Sequence, residues 1–158
     1  MSNYNNFAVL APVPLRHLQS GLEVCRREGK VAFGSNAFLF FHDLDNQRAG
    51  QPVPVYFYAS HYPSGKPEIS WKGIFIGFYN EENIPYTNKN QYRPPTTYQP
   101  PEPDTDTWSL FWEVADLAPI PEGPARIALY NLVADKGNKK LALNFLPQGP
   151  LLIRDPGV

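Results

Sequence analysis

The chain has 158 residues, 42% hydrophobic and 14% aromatic, enough for one domain to close a sizeable core and too few for two. Lys+Arg 14 against Asp+Glu 15 leaves a formal net charge of -1, so no broad basic field exists to hold duplex nucleic acid by phosphate neutralisation. Pro 18 and Gly 11 point to many loops, while Phe 10, Tyr 9 and Trp 3 carry too much apolar surface for a disordered chain.

The start, MSNYNNFAVLAPVPL, has no basic leader, and its apolar run is broken by Pro12 and Pro14, which argues against a signal peptide or a membrane span. Phe7 to Ala11 reads as a first strand that ends in this proline turn. A helix follows: Pro14 stands at its start, Leu15, Leu18, Leu22 and Cys25 share one face, and Gly29 supplies a left-handed cap. Cys25, the single cysteine, lies on that apolar face, which excludes an intrachain disulfide and a cysteine-based zinc site and predicts an inert buried thiol. With that cysteine use and no leader, the expected compartment is the cytoplasm. After Val31 to Gly34, Ser35 is a suitable N-cap for a second helix, with Phe38, Phe41 and Leu44 on one face and Gly50 beyond its end.

From Val53 the period changes to two. Val53, Val55, Phe57 and Ala59 alternate with Pro54, Tyr56, Tyr58 and Ser60, and Ile69 to Tyr79 forms the next extended run. Its alternation places Trp71, Gly73, Phe75, Gly77 and Tyr79 on one face, and Gly73 and Gly77 leave room for something to approach. Residues 80–106 are rich in Asn, Tyr, Thr and Pro and read as a long surface flap within a single domain spanning residues 1–158. Strands resume at Trp108 to Val114, Ile127 to Leu132 and Leu151 to Ile153. These elements predict a mixed α/β fold with a curved, barrel-like sheet of about five or six strands and flanking helices, in line with ordinary sheet sizes.

No catalytic or phosphate-loop signature is present, and His17, His42 and His61 are widely separated. No metal site, cofactor or catalytic residue is therefore expected. Glu81, Glu82, Asp104 and Asp106 read as solvated loop carboxylates. The aromatic constellation is more informative. Trp71, Trp108 and Trp112 fall in or beside strands near Tyr56, Tyr58, Phe75 and Tyr79, so several rings could wall a pocket for a flat heteroaromatic ligand, its edge read by Ser60, Ser70 or Asn80. Arg26, Arg27 and Lys30 with Arg16 and His17, and Lys139 and Lys140 with Lys136, are two small basic groups able to contact a few phosphates.

Ala49 to Ser60, then Ser70-Trp71-Lys72-Gly73-Ile74-Phe75-Ile76-Gly77, then Trp108 to Pro121 resemble successive strands of the PUA-like superfamily, in particular its EVE, ASCH and YTH branches. The resemblance covers about residues 50–153. It implies a strongly curved barrel that binds RNA or a modified base between aromatic walls, with Trp71 and Trp108 as pocket residues and Ser60 on the rim. The expected function is a non-catalytic module that captures a nucleobase, modified or not, from single-stranded or flipped-out RNA or DNA, or a free nucleoside. The alternative is a protein-interaction module in which Tyr86, Tyr92 and Tyr98 of the 80–106 loop, set among prolines, anchor a partner.

Overall fold

The computed structural model describes residues 5–60, 67–80, 90–101 and 108–158. Strand β1 (Phe7–Pro14) leads directly into helix α1 (Leu15–Glu28), which Gly29 closes at φ 84°, its N–H bonded to the Cys25 carbonyl. Strand β2 (Val31–Ser35) and helix α2 (Phe38–Arg48) follow, then β3 (Val53–Ser60), β4 (Ile69–Asn80), β5 (Leu110–Pro119) and β6 (Leu151–Arg154). The six strands form one curled, half-barrel sheet in the order β2-β5-β4-β3-β1-β6, flanked by the two helices. All pairings are antiparallel except β1 with β3, whose parallel alignment follows from the crossover through α1, β2 and α2.

The main core lies between the helices and one sheet face. Val9, Val13, Val55, Phe57, Phe75, Trp112 and Val114 meet Leu18, Val24, Phe41 and Leu44 there. Trp112 is the hub of the ring cluster, with centroids 5.1 Å from Phe41, 5.5 Å from Phe33 and 5.9 Å from Phe57. Gly73 is a packing glycine: a Cβ there would stand 2.4 Å from Val114 Cγ1, so the space expected for a ligand is filled by β5.

The opposite sheet face carries a second core of Ala8, Leu10, Tyr56, Ile69 and Ile153 beneath Ile120, Leu129 and Leu132. This is why Ile127 to Leu132, expected as a strand, is mostly a short 3-10 turn (Leu129–Asn131). The segment meets the chain just before β4 in a single antiparallel bridge, Glu68 with Ala128, made by Ile69 N–H to Ile127 O and Leu129 N–H to Pro67 O, and then turns away at Leu129. Helix α2 also begins later than expected. Ser35 Oγ accepts the Ala37 N–H at 3.0 Å in a tight turn, so the serine ends β2 and the helix starts at Phe38.

The sheet edges are covered by irregular chain. Residues 133–135 run along β6, with Arg154 N–H bonded to Val133 O and Asp135 N–H to Leu152 O. At the other edge, Ala32 of β2 donates to the Tyr92 carbonyl at 2.7 Å.

Candidate functional site

A register shift between Phe75 and Gly77 gives β4 an extra residue and decides which of its rings share a face, while the shift between Lys72 and Ile74 leaves the extra residue in β5. Strict alternation would keep Trp71, Phe75 and Tyr79 together. The β4 bulge instead puts Phe78 opposite Trp112 on the helix side and Tyr79 opposite Phe111 on the other side. The expected convergence of tryptophans and tyrosines on one pocket therefore does not occur. Trp71 and Trp112, 6% and 3% exposed, belong to the helix-side core, whereas Tyr56 and Tyr58 pack in the second core across the sheet. Ser60 is half-buried at the end of β3, opposite Pro14.

Trp108 is the tryptophan placed on the non-helix face. Its indole lies directly on Gly34, where a Cβ would stand 2.3 Å from the ring, and its Nε1 is buried without a hydrogen-bond partner. Gly34 pairs with Phe111, and Phe111 pairs with Tyr79, so one row across β2, β5 and β4 carries these groups on a common face. In the next row Ala32 pairs with Glu113. Glu113 is 4% exposed and holds Lys30 Nζ at 2.6 Å, while the Lys30 ammonium lies 4.7 Å from the Tyr92 ring centroid and 5.9 Å from that of Tyr79. Arg93 is placed the same way, 5.1 Å from the Phe111 centroid and 5.5 Å from that of Tyr98. Two cations, four rings and a buried carboxylate are thus assembled at the β2-β5-β4 end of the sheet.

The second half of the Pro/Tyr-rich region supplies part of this assembly. Residues 90–98, expected in a mobile flap, are docked: Pro94 fits over Gly21 of α1, and Thr97 is buried with its hydroxyl on the Pro94 carbonyl at 2.7 Å. Thr96 Oγ1 lies 2.8 Å from Nδ1 of the buried His17 and donates to the Arg16 carbonyl at 3.4 Å, and Thr96 N–H reaches Ser20 Oγ at 3.3 Å. Tyr92 and Tyr98, expected as free partner anchors, are half-buried against Lys30 and Arg93. Tyr86 and the acids Glu81, Glu82, Asp104 and Asp106 lie outside the described residues, as does His61.

The two expected basic groups are not brought together. Arg26 and Arg27 are exposed in the last turn of α1, beside Glu23 and Glu28. Lys139 and Lys140 stand in the exposed turn that packs along β6, at the opposite edge of the sheet from β2. Of the five, only Lys30 enters the aromatic cluster. Among the described residues, no three His, Cys, Asp or Glu side chains are placed to hold a metal ion, and no helix is long and apolar enough to cross a membrane.

Concavities lined by described residues include one of about 310 Å3 further along the same sheet face, walled by Pro54, Lys72, Ile74 and Asp116. Tyr56 forms its floor and donates to Asp155 Oδ1 at 3.0 Å, with the Val158 carbonyl 3.1 Å away. Burial, then the Asp155 charge, raises the Tyr56 phenol far above its ordinary range. Burial alone would lower the Lys30 ammonium, but the hydrogen bond and charge of Glu113 outweigh it and raise it.

Both groups therefore keep their proton longer when folded. As pH climbs past about 10, the unfolded chain releases these protons first. Stability present at lower pH is then lost. Urea midpoints measured between neutral pH and about pH 11 should fall in that alkaline window, and Tyr56→Phe should flatten part of the slope. A midpoint that stays level through the window would contradict this linkage.

The chain matches no protein-family model, and neither curated proteins nor solved structures show significant similarity to it. The likeness to the PUA-like superfamily thus rests on the residue pattern alone.

Proposed function

We propose that the protein is a non-catalytic binding module that captures a nucleobase, modified or not, of single-stranded or flipped-out RNA or DNA at the β2-β5-β4 end of its sheet. The observation that carries this reading is a sheet face on which Tyr79 and Phe111 lie beside the Lys30–Glu113 pair, with the Tyr92 ring over the Lys30 ammonium and the Arg93 guanidinium over the Phe111 ring. Rings such as Tyr79 and Phe111 offer every base a stacking surface, Lys30 suits a flanking phosphate, and a carboxylate accepts from the N–H groups on a base edge. A net charge of -1 makes stacking, rather than counterion release, the larger source of affinity. In this reading Trp108 supports the site through its contact with Gly34, while Trp71 and Trp112 stabilise the sheet beneath it.

Fluorescence titration with single-stranded RNA and DNA, modified and unmodified, against the matching duplexes at two salt concentrations tests the reading. Single strands should bind with a shallow salt dependence. Tyr79→Ala should weaken them by about 1–3 kcal/mol, the worth of one stacked base, while Tyr58→Ala, in the second core, should change affinity per folded molecule little. Preference for duplex with a steep salt slope, or no binding at all, would overturn it.

A further inference from the structure

We infer that residues 90–98 form a displaceable strap that occupies the aromatic face while no ligand is bound, and that ligand entry swings it away. The inference rests on the base-binding reading and adds a regulatory element to it. Two side chains of the strap fill the places a nucleotide would take. The Tyr92 ring covers the Lys30 ammonium as a base would, and the Arg93 guanidinium covers Phe111. A ligand that stacks on Phe111 or brings a phosphate to Lys30 has to replace these contacts.

The attachments of the strap suit exchange. Its polar contacts to α1 are those of Thr96 to His17, Ser20 and the Arg16 carbonyl and of Gln91 Nε2 to Glu28 Oε2, and three of the four are 3.3–3.4 Å long. Its contact with the free edge of β2 runs from Ala32 N–H to the Tyr92 carbonyl. Pro94 and Pro95 follow at once and have no N–H to extend a ladder. The chain is thus laid on the sheet edge without becoming a strand of it. Pro94 over Gly21 fixes where it returns after opening, because no side chain at position 21 blocks the seat.

Amide exchange and binding together test this. Ala32 N–H faces the strap, whereas the neighbouring Phe33 N–H faces β5 by the alternation of the ladder. In the ligand-free protein, Ala32 N–H should exchange at least about tenfold faster than Phe33 N–H, because strap opening is a local event below global unfolding. Thr96→Val should speed it further and tighten binding of a mixed-sequence single-stranded RNA several-fold, since more molecules are open. A disulfide formed in the Ser20→Cys, Thr96→Cys double variant should slow Ala32 exchange and suppress RNA binding until a reductant is added. Ala32 exchange as slow as that of Phe33 in every form, or RNA binding by the locked protein as tight as after reduction, would overturn the inference. Failure of every form to bind RNA, with Ala32 exchange still fast, would overturn the base-binding reading and leave the opening of the strap standing.

Discussion

Replacing Trp112 with alanine should lower the unfolding free energy by about 3–5 kcal/mol, the cost of emptying a fully packed aromatic site. Trp112 is 3% exposed and touches Phe33, Phe41 and Phe57, which come from β2, α2 and β3, so the cavity would open where both layers meet. For a chain of this size the melting temperature should fall by roughly 10 °C. Trp112→Phe should recover much of the loss, because a ring still fills most of the volume. Nucleic-acid affinity per folded molecule should stay close to that of the parent, which separates Trp112 from a ligand-contacting role. A loss under about 1 kcal/mol would show that the site collapses around the void or that Trp112 is not the hub.

Lys30→Met should be the second large effect. It leaves Glu113 charged and 4% exposed on an inner strand without the ammonium now 2.6 Å away. Removing one partner of a buried pair costs about 3–5 kcal/mol, and the partial exposure of the lysine reduces this to about 2–4 kcal/mol. Lys30→Met combined with Glu113→Leu should recover most of the stability, since an apolar pair of similar volume leaves no stranded charge. Denaturant unfolding of the three variants checks this through the non-additivity of the cycle. A double variant no more stable than the single one would mean that Glu113 is held chiefly by other groups.

The periodic elements could be read directly. Leu15, Leu18, Leu22 and Cys25 on α1, and Val53, Val55, Phe57 and Ala59 on β3, pack toward the helix-side core as their spacing requires. Strand β2 is only five residues long and lies between two helices, too short for alternation to declare itself. The bulges of β4 and β5 were illegible because they depend on how the two strands pair, and that cross-strand register rearranged the expected pocket. For the candidate site, Trp108 and Lys30 were among the expected residues, but the packing of Trp108 on Gly34 and the Lys30–Glu113 pair were not. The signal that could have found the rest is Glu113, a carboxylate set between Trp112 and Val114 in an otherwise apolar run. A charge in such a place demands a partner, which the structure supplies as Lys30.

The pairing of β1 with β6 has a consequence for synthesis. Phe7 lies opposite Arg154, so a strand made among the first residues waits for one made almost at the end of the described chain. At ordinary elongation rates the interval is on the order of ten seconds. During it the nascent chain can assemble β1, β2, β3, β4 and β5, but one flank of β1 still shows the ribosome exit region an unsatisfied row of backbone groups. Completion of the β1 edge therefore waits for β6 to leave the exit tunnel, and the interval just before it is when a chaperone would have most to cover.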